Sequence, residues 1–173
     1  MGFFDKLFNG KTSEKESSGS NPAQSAQNAA SAAVPQEPQD MELRFGNPNV
    51  PYDTEVCGTS VTLGLRYRGI AKVSAADAVK VKNCGGLAAL QDKLKEEIIA
   101  VGDKAWMQCS AAKIPFARLQ TQLPIVAREI KDRLEKEWLE QYGVQLENVG
   151  LMDLSMTEDS LKIYKDIMRA QMN

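Results

Sequence analysis

The sequence predicts an α+β domain over residues 41–173: a small, mainly antiparallel sheet with helices packed on one face. Changes in hydrophobic period carry that expectation. Residues 41–45 and 61–68 alternate apolar and polar side chains, as half-buried strands do. From residue 87 the apolar spacing lengthens to three and four, and a second alternating run over 144–151 separates two helical stretches. Strands, then helices, then strand and helix place the helices on one side of a sheet. Composition sets off the remainder. Residues 11–40 hold one large aliphatic side chain, Val34, and no aromatic, so they cannot bury enough apolar surface to offset ordering and read as a disordered linker.

Each element has its own signal. Met41, Leu43 and Phe45 alternate with Glu42 and Arg44, and Gly46-Asn47-Pro48 is expected to break the run. Val61, Leu63, Leu65 and Tyr67 alternate with Thr62, Gly64, Arg66 and Arg68, with Gly69 marking a bulge or bend before residues 70–73. Leu87, Leu90, Leu94, Ile98, Val101 and Ala105 form the stripe of a long helix opened by Gly85-Gly86. A short helical piece after Ile114-Pro115 carries Phe116 and Leu119. Pro124 suits the first turn of a third helix, whose stripe is Ala127, Ile130, Leu134, Trp138 and Tyr142, and Gly143 stops it. Val144 and Leu146 alternate, and the phase then slips to Val149 and Leu151, which a bulge near Asn148 or Gly150 would permit. Ser155-Met156-Thr157-Glu158 fits a capping box before a last helix striped by Leu161, Tyr164, Ile167 and Met168. That stripe stays intact to the last residues, which predicts self-association through those four side chains.

Ahead of the linker lies an anomaly. Of five Phe in the chain, three fall within its first eight residues. Over residues 1–10, Phe3, Phe4, Leu7 and Phe8 share one face of a short amphipathic helix and Asp5, Lys6 and Asn9 the other. Full burial of four such side chains is worth roughly 6–12 kcal/mol gross. Interfacial insertion is partial, so one copy binds lipid weakly and several copies on one assembly bind stably. A lipid interface or a protein groove would each accept this face. The linker behind it reaches roughly 30 Å. Gly2 does not begin a myristoylation motif, because Lys6 stands where Ser or Thr is required.

Composition narrows the chemistry. The 173 residues include 21 Lys+Arg, 23 Asp+Glu, three Cys and no His, for a net charge of −2. Without His, no Ser-His or Cys-His dyad and no His-containing zinc or iron site can form. An odd number of Cys without a close CxxC pair points to free thiols in a reducing compartment. No global basic field exists to drive nucleic-acid binding, no apolar run nears the ~20 residues of a membrane-spanning helix, and the start lacks a secretory signal. Local candidates are weak. Gly85-Gly86 lacks the rest of a phosphate-binding motif. Among Cys57, Cys84 and Cys109, only Cys84, just before a helix, has a plausible activating setting. Arg66 and Arg68 beside Tyr67 hint at nucleic acid or phospholipid headgroups but read more simply as a solvated strand face. Glu96-Glu97 reads as the polar side of a helix. No catalytic residue, cofactor or metal is expected.

Four pieces in order resemble the stomatin/prohibitin/flotillin (SPFH, Band 7) family, from Gly58 to Gln171. They are the strand and Asp-containing turn "VTLGLRYRGIAKVSAAD", the helix "GGLAALQDKLKEEIIAVGDKAW", the helix, Tyr-Gly and strand of "FARLQTQLPIVAREIKDRLEKEWLEQYGVQLENVGLMDLS", and the helix of "MTEDSLKIYKDIMRAQ". The pattern is most similar to the bacterial virion-core-like branch. The resemblance implies a non-enzymatic, homo-oligomeric scaffold at a membrane, with client membrane proteins as further partners and no catalytic residues to transfer. Two departures from the family pattern shape the expectation: its usual N-terminal spanning helix or hairpin is not read in this sequence, and its extended coiled coil is expected to be absent or cut to one helix. The expectation is therefore a protein peripheral to the inner, cytoplasmic face of the cell membrane, touching lipid through Phe3, Phe4, Leu7 and Phe8. The alternative is a soluble adaptor whose N-terminal helix docks into a protein partner.

Overall fold

The computed structural model describes residues 38–173. The expected helix over 1–10, with Phe3, Phe4, Leu7 and Phe8, and the expected linker as far as residue 37 lie outside the described residues. Three long strands, β1 (Asp40–Val56), β2 (Thr59–Ala75) and β3 (Val144–Met156), form one antiparallel sheet in the order β1-β2-β3. Between β2 and β3 come α1 (Ala78–Asn83), α2 (Leu87–Ala111), a 3-10 turn (Phe116–Gln122) and α3 (Leu123–Tyr142); α4 (Glu158–Gln171) follows β3. The fold is α+β, as the periods predict. Among the described residues no helix is long and apolar enough to cross a membrane.

Alternation decides which sheet face is covered. Leu43, Phe45 and Tyr52 of β1, Leu65, Tyr67, Ala71 and Val73 of β2, and Leu146, Val149 and Leu154 of β3 are buried on it. There α2 packs on β1 and α3 on β3, and the two helices touch each other. Leu94, Ile98 and Trp106 come from α2; Ile130, Leu134 and Trp138 from α3. Trp106 was not on the predicted stripe. At ~100° per residue it sits just beside Ala105, so the buried arc is broader than a three-four stripe implies. Its ring lies 6.1 Å from that of Tyr67.

Gly46-Asn47-Pro48 does not end β1. The register slips between Asn47 and Val50 and the strand then runs on to Val56. A proline lacks a ladder donor, but β1 is an edge strand and the slip places Pro48 where none is needed. Asn47 Oδ1 accepts the Asn49 N–H at 3.0 Å and holds the bulge. The expected irregularity at Gly69 is present: Arg68 faces Asp153 whereas Gly69 faces Leu151, leaving Met152 extra on β3. A second slip between Lys72 and Val73 leaves Glu147 extra, so the phase change read around Asn148 and Gly150 is made by two flanking bulges.

Two buried tyrosines tie the sheet to α2 and its exit. The Tyr52 hydroxyl donates to the Ile114 carbonyl, and that of Tyr67 to Asp103 Oδ1 at 2.8 Å. Asp103 Oδ2 also accepts from Asn47 Nδ2 at 2.8 Å. Burial, with a smaller push from Cys109, moves the Tyr52 phenol up to about 12. Burial and then Asp103 move Tyr67 farther up. The stability these groups contribute is complete below about pH 10, where the unfolded phenols are neutral. It falls as pH rises from 10 towards 12, because the unfolded chain then loses protons that the folded chain keeps. Thermal melts are expected to be flat from pH 7 to about 8, to ease downwards as the unfolded Cys109 thiol ionises, and to drop steeply above 10, by up to about 1.4 kcal/mol per pH unit per tyrosine. Tyr52→Phe should flatten that alkaline limb; an unchanged slope would refute the assignment.

Candidate functional site

The stripe expected to mediate self-association lies on α4, and its setting begins with the cap. Thr157, not Ser155, is the N-cap residue: its hydroxyl accepts the Ser160 N–H at 3.4 Å and donates to Ser160 Oγ at 2.9 Å. Ser155 cannot serve, because β3 pairing extends through Met156 opposite Leu65. The Thr157 N–H donates to the Gly64 carbonyl at 2.9 Å, and the Gly64 N–H to Ser160 Oγ at 2.7 Å. Where β3 ends, the start of α4 thus satisfies the edge of β2. Glu158 and Asp159 in the first turn and Arg169 in the last complement the helix dipole.

Beyond the cap, α4 packs mainly on β2 and more lightly on β1. Tyr164 and Ile167 are half-buried, and the Tyr164 ring lies 6.3 Å from Phe116 of the 3-10 turn. Leu161 and Met168 are exposed, and Met168 Sδ lies 3.4 Å from Cys57 Sγ. The four stripe residues therefore divide, with Tyr164 and Ile167 against the body and Leu161 and Met168 facing out. Sequence reasoning missed Ile163, which is 44 % exposed, and Met172, which is 84 % exposed. Ile163 falls outside the i, i+3, i+4 stripe, and its only signal was an apolar residue on the flank. Together they widen the apolar arc to about half the helix circumference.

Such a face acts through burial, not chemistry. Ile163 lies on the shoulder opposite the other three; covering the exposed parts of Leu161, Met168 and Met172 yields about 2–4 kcal/mol, taking half of the full-burial value for each. Association costs at least ~4 kcal/mol in lost freedom. One α4 contact alone is therefore weak, and stable assembly needs several contacts or a surface that concentrates the chains.

The other candidates resolve differently. The Gly85 and Gly86 N–H groups donate to the carbonyls of Lys82 and Val81, so they close α1 instead of facing a ligand. Cys84 is the C-cap of α1, at the negative end of that short helix, not at a helix N-terminus. Cys57 is exposed; Cys109 is buried, and burial with a smaller contribution from Glu129 pushes its thiol up. Arg66 and Arg68 project from the uncovered sheet face, where Arg68 Nη2 pairs with Asp153 Oδ2 at 2.8 Å. Among the described residues no three His, Cys, Asp or Glu side chains gather as for a metal ion.

Glu97 is a correction. It is not a solvated partner of Glu96: its Oε2 accepts from Trp138 Nε1 and its Oε1 from the Tyr142 hydroxyl at 2.9 Å, clamping α2 to α3. Lys93 Nζ sits 4.9 Å over the Tyr142 ring. Burial first, opposed by Lys93 and reinforced by Glu97, raises the Tyr142 phenol. No family model matches the chain, and no curated protein matches it.

Proposed function

We propose that this chain is a non-enzymatic, self-associating scaffold of the SPFH (Band 7) kind, held peripherally at the cytoplasmic face of a membrane. The observation that carries the reading is the open apolar flank of α4, with Leu161, Met168 and Met172 exposed on one shoulder, and Ile163 on the other, of a helix whose cap and inner face are firmly seated. A weak apolar face suits an assembly in which many copies add up. The Phe3, Phe4, Leu7 and Phe8 cluster supplies a second weak grip, directed at lipid. Three free cysteines agree with a reducing compartment.

Light-scattering mass of the full chain tests the scaffold. Wild type is expected as an oligomer, and Leu161→Asp with Met168→Asp as a folded species of lower mass. A strict monomer for wild type, or an unchanged oligomer for the variant, would overturn the role of α4. Vesicle flotation tests the membrane: wild type floats, and Phe4→Asp with Phe8→Asp loses most of that binding. Equal flotation, or none in either, defeats the lipid reading. Capture of a protein partner that needs Phe4 and Phe8 in the absence of lipid would replace it with an adaptor.

A further inference from the structure

We propose that the rim of the sheet at the β1 bulge, where outward strand residues meet α2, is a second membrane contact, a cationic seat for anionic phospholipid headgroups. This deepens the membrane reading above and rests on it. A depression of about 640 Å³ opens there; Arg44, Arg66 and Arg68 reach it from the strands and Lys95 from α2, with no carboxylate among the lining residues. Strand alternation explains the clustering. Arg66 and Arg68 are successive outward residues of β2, and Arg44, opposite Ile70, is the diagonal neighbour of Arg68 across β1. Glu42 lies 3.5 Å from Arg44 and Asp153 2.8 Å from Arg68. Among the described residues Arg66 and Lys95 make no ion pair, so two cations stay uncompensated.

The bulge adds the apolar part. Met152 is the extra residue on β3 beside Arg68; it is 67 % exposed and lines the same depression. A bulge re-aims the side chain that it extrudes. Exposed methionine among cations on an open face suits an interface where phosphate and acyl chain meet, better than an enclosed small-molecule pocket. The chain's course agrees. β1 starts at Asp40, four residues before Arg44, or about 13 Å at ~3.3 Å per residue. The cationic residues therefore sit close to the first described residues of the chain.

The test uses the full chain with vesicles of phosphatidylcholine, with and without phosphatidylglycerol, at fixed moderate salt. Phosphatidylglycerol is expected to raise wild-type binding, and more salt to erase that increment. Arg66→Glu with Lys95→Glu should cut the increment by on the order of tenfold or more, at roughly fivefold per charge lost near the surface. Its binding to phosphatidylcholine alone should match wild type. Met152→Asp should weaken binding to both vesicles modestly. Phe4→Asp with Phe8→Asp should lose phosphatidylcholine binding yet keep the phosphatidylglycerol increment. An increment unchanged by Arg66→Glu with Lys95→Glu overturns this proposal alone, and absence of wild-type binding to either vesicle overturns the membrane reading with it. Release of bound protein by soluble glycerol phosphate at concentrations that leave ionic strength unchanged would assign the seat to a free phosphate ester. Displacement by a short single-stranded RNA would assign it to nucleic acid; either release refutes it.

Discussion

Replacing Gly143 by valine is expected to lower the melting temperature of the domain by about 6–15 °C. Gly143 follows α3 with φ 69° and ψ 21°, the left-handed conformation in which a helix commonly ends. A β-carbon placed there would come within 2.8 Å of Asp77 Cβ, the Asp77 carbonyl oxygen and Lys80 Cβ. Those neighbours cannot retreat. The Gly143 carbonyl accepts the N–H groups of Ala76 and Asp77, each at 2.9 Å, which pins the exit of β2 to the start of β3. Asp77 also caps α1 by accepting the Lys80 N–H at 3.1 Å. Left-handed backbone costs an L-residue roughly 1–2 kcal/mol. Crowding a tight site adds about 1–3 kcal/mol, and each kcal/mol is worth about 3 °C for a domain of this size. Gly143→Ala should lose somewhat less, since β-branching adds strain. Gly143→Asn relieves the backbone cost but not the crowding. If Gly143→Ala melted within a degree or two of wild type, the packing described for this corner would be wrong.

Gly143 also shows what the sequence makes legible. A helix stop is a local signal: a glycine after a stripe, with no need of the tertiary structure. The same holds for Pro124 in the first turn of α3 and for the alternation of Leu63, Leu65 and Tyr67, whose burial is complete. Illegible features depend on partners distant in sequence. Gly46-Asn47-Pro48 looks like a strand end until β1 is known to lie at a sheet edge, where a proline is tolerated. The cap of α4 moves from Ser155 to Thr157 because β2 holds β3 in register through Met156. On α4 itself amphipathicity was visible, but which part of the stripe faces out was not. Phe116 and Gly64, which cover or fix its inner side, lie 48 and 96 residues before Tyr164 and Ser160. The cationic cluster was legible only as a hint at Arg66 and Arg68, for a related reason: two arginines on one strand look solvated until Arg44, Lys95 and the bulged Met152 come from other elements to join them.

Glu97→Ala is expected to destabilise the domain by about 2–4 kcal/mol, unusually much for a glutamate on a helix. The Trp138 indole is fully buried and the Tyr142 ring nearly so, and each brings a donor that needs an acceptor away from water. One carboxylate serves both. Removing it strands two donors, at about 1–3 kcal/mol for each one left unsatisfied, partly relieved where water reaches Tyr142. Glu97→Gln keeps one acceptor oxygen and turns an amide N–H₂ towards the other donor, so roughly half the loss should remain. Glu96→Ala, one residue away and exposed, should change stability by no more than about 0.5 kcal/mol. On a Tyr142→Phe background the same Glu97→Ala change should cost less than in wild type, since one stranded donor is already gone, and the difference measures the coupling. Equal melting temperatures for Glu97→Ala and Glu96→Ala would mean that the clamp between α2 and α3 is not formed in solution. The consequence reaches the sheet. α2 braces β1 and α3 braces β3, so the clamp fixes the two outer strands relative to each other. Through them it sets the spacing of Arg44, Arg68 and Met152 on the opposite face. A loosened clamp should therefore weaken the phosphatidylglycerol-dependent binding of the folded variant, although Glu97 does not itself line the depression.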